Sequence, residues 1–144
     1  MLETLVDIIW DLNKKIQEKL AMDNLIIIRE RHADDFALIQ IKKNEEIFDI
    51  GIFGDIGKKE INAIKENEKY SEDLMTGIPS ENYLEINVSI QKYLIKNKIK
   101  IICWCIESDS ETGRCGISIG LKIGTTLCLI LITEKDFLFR YFSQ

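Results

Sequence analysis

The sequence predicts an α+β fold: an antiparallel sheet of about six strands, arranged as two β-meanders each preceded by a helix, with the helices packed on the sheet. Three observations carry this. Leu5, Ile9, Leu12, Ile16 and Leu20 recur at spacings of 4, 3, 4 and 4, which line one face of a helix. Short apolar runs separated by turn residues follow, and the same order returns after residue 80. Isoleucine supplies 27 of the 144 residues against four alanines, a bias toward stiff β-branched side chains that suit a pleated surface. An AT-rich genome would produce a similar lysine-, asparagine- and isoleucine-rich composition, so the sheet rests on the pattern as well as the bias.

The first helix is expected over residues 3–20, with Glu3, Asp7 and Asp11 leading and Lys14, Lys15 and Lys19 following, as the helix dipole favours. Strands are expected at 24–30, 36–42 and 47–53, joined by turns at 32–35 and 44–46 and ended by Gly54 to Gly57. The charge-dense stretch 58–71 carries Ile61 and Ile64 on a short helix, and 70–79 reads as loop. Ser80 then caps a helix to about Asn97, carrying Tyr83, Ile86, Ile90, Tyr93 and Leu94. Leu84, Ile86, Val88 and Ile90 also alternate as a strand would; the cap, the length and the closing lysines favour helix. Three more strands follow at 99–107, 114–122 and 126–133. The first and last of these are apolar on both faces, which predicts central places in the sheet. Residues 137–142 read as a last strand or an aromatic plug.

The chain is expected to be a single domain, 1–144, with pattern-level halves 1–79 and 80–144. Its opening residues lack the basic region and small-residue cleavage site of a secretion signal, which points to a cytoplasmic protein with reduced thiols.

The residue inventory does not describe an enzyme. The one histidine, His32, lies beside Asp34 and Asp35 in a predicted turn and reads as a solvated side chain. Cys103 and Cys105 share one strand face, while Cys115 and Cys128 are split by twelve residues, unlike the paired clusters of zinc sites, so the four are expected as core thiols with no metal or other cofactor. The glycines and lysines of 51–59 miss the phosphate-loop spacing, and Lys59 stands where a magnesium-binding Ser or Thr belongs.

The charges are distributed unevenly. The net charge of −5 divides into −8 for residues 1–85 and +3 for residues 86–144. A pI near 5.0 argues against nucleic acid as direct partner. Within the first meander, Asp34, Asp35 and Asp55 should meet at one end of the sheet, with Glu45, Glu46 and Asp49 toward the other; Glu107, Asp109 and Glu111 gather near a later hairpin tip. Solubility accounts for such acids as readily as binding does. As a binding surface they would attract and steer a basic partner.

In size, acidity, lysine/isoleucine/asparagine-rich composition, α+β order and lack of catalytic residues, the chain resembles the immunity proteins of bacterial contact-dependent growth inhibition systems. The resemblance implies a one-to-one complex, with a monomer rather than a homodimer, that masks a cognate and basic nuclease-type toxin domain. It transfers no individual residue. Type III secretion chaperones, which hold an effector segment as dimers, are similar in length, acidity and opening order. They close with a helix, where this chain has strands and aromatics.

Overall fold

The computed structural model describes residues 4–68, 80–108 and 115–142. Helix α1 (Leu5–Met22) begins at a reciprocal cap: the Thr4 hydroxyl accepts the Asp7 amide at 3.2 Å, and the Asp7 carboxylate accepts the Thr4 amide at 3.3 Å. The expected stripe of Ile9, Leu12, Ile16 and Leu20 is buried. Asp23 ends the helix and Asn24 turns the chain with φ of 60°, a left-handed conformation that asparagine tolerates. That exit takes two more residues than the sequence pattern suggests, so β1 (Ile26–His32) starts at 26 rather than 24.

Strands β2 (Phe36–Lys43) and β3 (Glu46–Gly54) complete the first meander. Helix α2 (Lys58–Glu68) follows. Helix α3 (Glu81–Lys96) starts at Ser80, whose hydroxyl accepts the Tyr83 amide, so the helical reading of this segment holds over the alternating one. Strands β4 (Lys100–Ser108), β5 (Cys115–Ile123) and β6 (Thr126–Glu134) form the second meander. A short helix, α4 (Phe137–Tyr141), closes the described chain.

The strands make one antiparallel six-stranded sheet in the order β1-β2-β3-β6-β5-β4. Pairing of β3 with β6, with Ile50 opposite Ile132 and Ile52 opposite Ile130, joins the two meanders. This corrects one expectation: β6 is central, but β4 is an edge strand. Its apolarity on both faces reflects helical cover above and below rather than a central place.

One sheet face, rich in isoleucines such as Ile39, Ile50, Ile119 and Ile130, packs in a single core with the buried stripes of α1 and α3. Tyr83 ties α3 down, donating its hydroxyl to the Ile132 carbonyl at 2.6 Å and meeting Phe48 edge-on. The opposite face carries two smaller cores. In one, Ile61 and Ile64 of α2 pack on Cys103 and Cys105. The sparse side of β5 makes this possible, because a Cβ on Gly120 would lie 2.7 Å from Ile61 Cδ1. In the other, Leu138 and Phe139 of α4 cover Leu38, with Phe36 stacked on Phe53 and Phe142 tilted against both. Gly51 leaves the room for this, since a Cβ there would come within 2.9 Å of Leu138 and closer to the Phe53 ring. The C-terminal aromatics are therefore a helical plug and not a seventh strand. Among the described residues, no helix is long and apolar enough to cross a membrane.

Candidate partner-binding surface

The acids singled out from the sequence separate into distinct environments. Phe36 pairs with Phe53, and the Gly54 amide donates to the Asp35 carbonyl at 3.2 Å. This register sets the β1–β2 turn beside the end of β3 and brings Asp34, Asp35 and Asp55 to one end of the sheet, all exposed. Among the described residues, none of the three forms an ion pair, whereas Asp11, Asp23, Glu45, Glu85 and Asp136 are each held by a lysine or arginine.

Glu45 and Glu46 lie at the opposite end, roughly 25 Å away along β2 at about 3.4 Å per residue. Glu45 is 95% exposed and 3.7 Å from Lys42. Glu46 is a scaffold residue: its carboxylate accepts from Ser80 Oγ at 3.0 Å and Asn82 Nδ2 at 2.8 Å, fastening the start of β3 to the start of α3. The backbone of Glu107 lies in β4 opposite Gly116; Asp109 and Glu111 fall outside the described residues.

Asp49 departs from the expectation of a surface acid, because it is fully buried. Strand alternation takes it off the Phe48/Ile50 face, and the face it reaches is roofed by α4. There its Oδ1 accepts from Gln40 Nε2 at 2.9 Å and the Asp136 amide at 3.1 Å, while Oδ2 accepts the Leu138 and Phe139 amides at 3.1 and 3.2 Å. A carboxylate from β3 thus caps a helix whose own N-cap side chain makes no capping bond. Asp136 extends the cluster, accepting from Gln40 at 2.7 Å and Arg29 at 2.9 Å, and these contacts hold its carboxyl below the usual range. Asp49 cannot meet a partner without dismantling this roof.

The described thiols do not converge, and the Cys115 side chain lies outside the described residues. Cys128 faces the main core, on the opposite side of the sheet from Cys103 and Cys105. Burial pushes the Cys128 thiol up to about 11, and burial with Glu68 nearby raises Cys103. His32 is the last residue of β1 rather than a turn residue, five strand spacings from β4, so roughly 24 Å separates it from Cys103 and Cys105 at about 4.8 Å per strand. No histidine–cysteine dyad can form across that span. Among the described residues, no group of histidine, cysteine and carboxylate side chains is placed to hold a metal ion.

These thiol shifts carry a prediction. In native protein at pH 8, Cys128 should resist iodoacetamide and react once guanidinium unfolds the chain, as read by mass spectrometry. Its raised value favours the folded state at neutral pH. Stability should therefore be full below the ordinary thiol value of 9.0 and decline as pH rises toward 11.

The residue that distinguishes the acidic end belongs to none of the sequence motifs. Trp10 is 61% exposed on the flank of α1, with Val6 42% exposed one turn before it. Its indole meets the His32 ring edge-on, with centroids 5.0 Å apart. Close packing of Gly54 against Leu5 and Ile9 fixes the opening turns of α1 under the end of β3. Val6, Trp10 and His32 therefore form an apolar, aromatic ridge at the same end as Asp34, Asp35 and Asp55. From Trp10 an open groove of about 700 Å³ runs between α1 and β1, bordered by Asn13, Gln17, Ile27 and Glu30. The signal was available: a tryptophan off the apolar stripe of an amphipathic helix has no place in that helix's own core.

No protein-family model matches the sequence, and no curated protein or solved structure matches it either.

Proposed function

We propose that this protein is an inhibitor of the immunity type, binding a basic, nuclease-type toxin domain and masking its active or substrate-binding surface. The observation that carries this reading is Trp10: a large aromatic left mostly in water, joined to Val6 and His32, at the end of the sheet bearing three carboxylates without ion pairs. Buried tryptophans at interface centres supply much of the affinity of protein complexes. Carboxylates around such an anchor steer a basic partner and accelerate its encounter. Asp34, Asp35 and Asp55 are the steering acids of this surface; Glu45 and Glu46 stand apart from it, and Asp49 belongs to the scaffold.

Reversing Asp34, Asp35 and Asp55 together to lysine should slow association at low salt by about 10- to 100-fold, and the difference should shrink as salt is added. Melting temperature should hardly move, because the three side chains are exposed. Stopped-flow association with a basic nuclease-type toxin domain, sought among the reading frames flanking this gene, reads the effect. Unchanged association at low salt would remove the acids from the interface.

A second reading has its own observation. The groove at Trp10 runs along β1, an edge strand with Ile26 62% and Ile28 44% exposed. An extended segment could lie there and add to the sheet, as a secretion chaperone would require. The bulge between Ile27 and Arg29 and the charged run Arg29, Glu30, Arg31 interrupt that edge, which favours the folded basic partner.

A further inference from the structure

The outward face of α3 carries its charges in two blocks. Glu81 and Glu85 stand in the first turns and Lys92 and Lys96 in the last, all four exposed. At about 100° per residue they fall with Val88 within a sector of roughly 80°. Val88, 47% exposed, stands midway along the helix at one edge of this sector, and Ile95, 57% exposed, lies just beyond that edge with the half-buried Leu84. A helix that is acidic in its first half and basic in its second is complementary to itself run in reverse.

We propose that two copies of this chain associate through α3, packed antiparallel about a two-fold axis passing beside Val88 and Ser89. In that register Glu81 faces Lys96 of the partner subunit and Glu85 faces Lys92 of the partner subunit, and the symmetry repeats both pairs. The apolar strip of Val88, Leu84 and Ile95 is covered between them. Glu85 already holds Lys43 at 3.1 Å, so that pair becomes a three-charge cluster. A parallel arrangement would set like charges against like, so charge selects the direction while the apolar strip supplies the attraction. Met22, 60% exposed on α1, borders the adjoining groove and widens the apolar contact.

This association departs from the monomer that the sequence suggests and does not rest on the proposed toxin binding. The groove beside α3 and the groove beside Trp10 share no residue, so each protomer keeps its acidic end available. A small two-helix contact of this kind should give a weak dimer, in the micromolar range.

Sedimentation velocity of the full chain over rising concentration provides the test. The wild type should pass from monomer to dimer. Glu81→Lys with Glu85→Lys should stay monomeric, as should Lys92→Glu with Lys96→Glu, and an equimolar mixture of the two variants should regain a dimer. Val88→Asp should also be monomeric, and circular dichroism should show all of them folded. A wild type that stays monomeric throughout, charge variants that dimerise as well as wild type, or a mixture that stays monomeric would each overturn the proposal.

Discussion

Asp49→Ala is expected to destabilise the fold by about 3 kcal/mol, the cost of leaving several buried donors without an acceptor. In a domain of this size that corresponds to a fall in melting temperature of roughly 10 °C. Three backbone amides, those of Asp136, Leu138 and Phe139, and the Gln40 side chain donate to this one carboxylate. Without it α4 loses this cap, and the plug of Leu138, Phe139 and Phe142 over Phe36 and Phe53 loosens. Asp49→Asn should fall between wild type and alanine, since one amide oxygen replaces two carboxylate oxygens. Asp34→Ala, a change of the same kind at an exposed site, should lie within about 0.5 kcal/mol of wild type. Thermal denaturation of the three variants makes the comparison. Equal melting temperatures for Asp49→Ala and Asp34→Ala would refute the capping role.

Trp10→Ala should weaken binding to the basic partner by about 2 kcal/mol or more, roughly 30-fold. Most of that loss should appear as faster dissociation, because a central aromatic anchor acts after encounter rather than before it. Folding should be little affected, because the indole is 61% exposed and its ring contact is with His32 at the surface. His32→Ala should weaken binding less, since it removes the support of the indole and not the indole itself. The pair of effects would separate anchoring from steering, with the acids expected to set the association rate and Trp10 the dissociation rate. A Trp10→Ala protein that melts like wild type and binds like wild type would remove the ridge from the interface.

Much of the architecture is legible in the sequence, for reasons that are local. Helix α1 follows from one uninterrupted stripe, and α3 from the Ser80 cap together with lysines in its last turn. The hairpin turns sit where aspartate, asparagine and glycine permit unusual backbone angles, as at Asn44 with φ of 48° and Gly124 with φ of 60°. Properties set by distant segments are harder to read. β4 shows the same two-faced apolarity as β6, and only the β3–β6 pairing decides that β6 is central.

Asp49 illustrates the same limit at the level of one side chain. Strand alternation correctly takes it away from Phe48 and Ile50, but nothing near it in sequence announces that α4, 88 residues on, will cover that face. Trp10 is the converse case, a large aromatic residue that the fold leaves uncovered. The alternation of β1–β2–β3 with its turns was enough to bring Asp34, Asp35 and Asp55 to one end. Placing the tryptophan beside them required the helix to be docked on the sheet.

The most direct test of the proposed function is a calorimetric titration of the full chain with a basic nuclease-type toxin domain sought among the reading frames flanking its gene, followed by an assay of that toxin's activity. The expected result is one partner bound per protomer at nanomolar affinity, with the toxin silenced and the fluorescence assigned to Trp10 by its phenylalanine variant protected from acrylamide quenching. No binding, a toxin that stays active in the complex, or a Trp10 as accessible to quencher in the complex as in the free protein would contradict it.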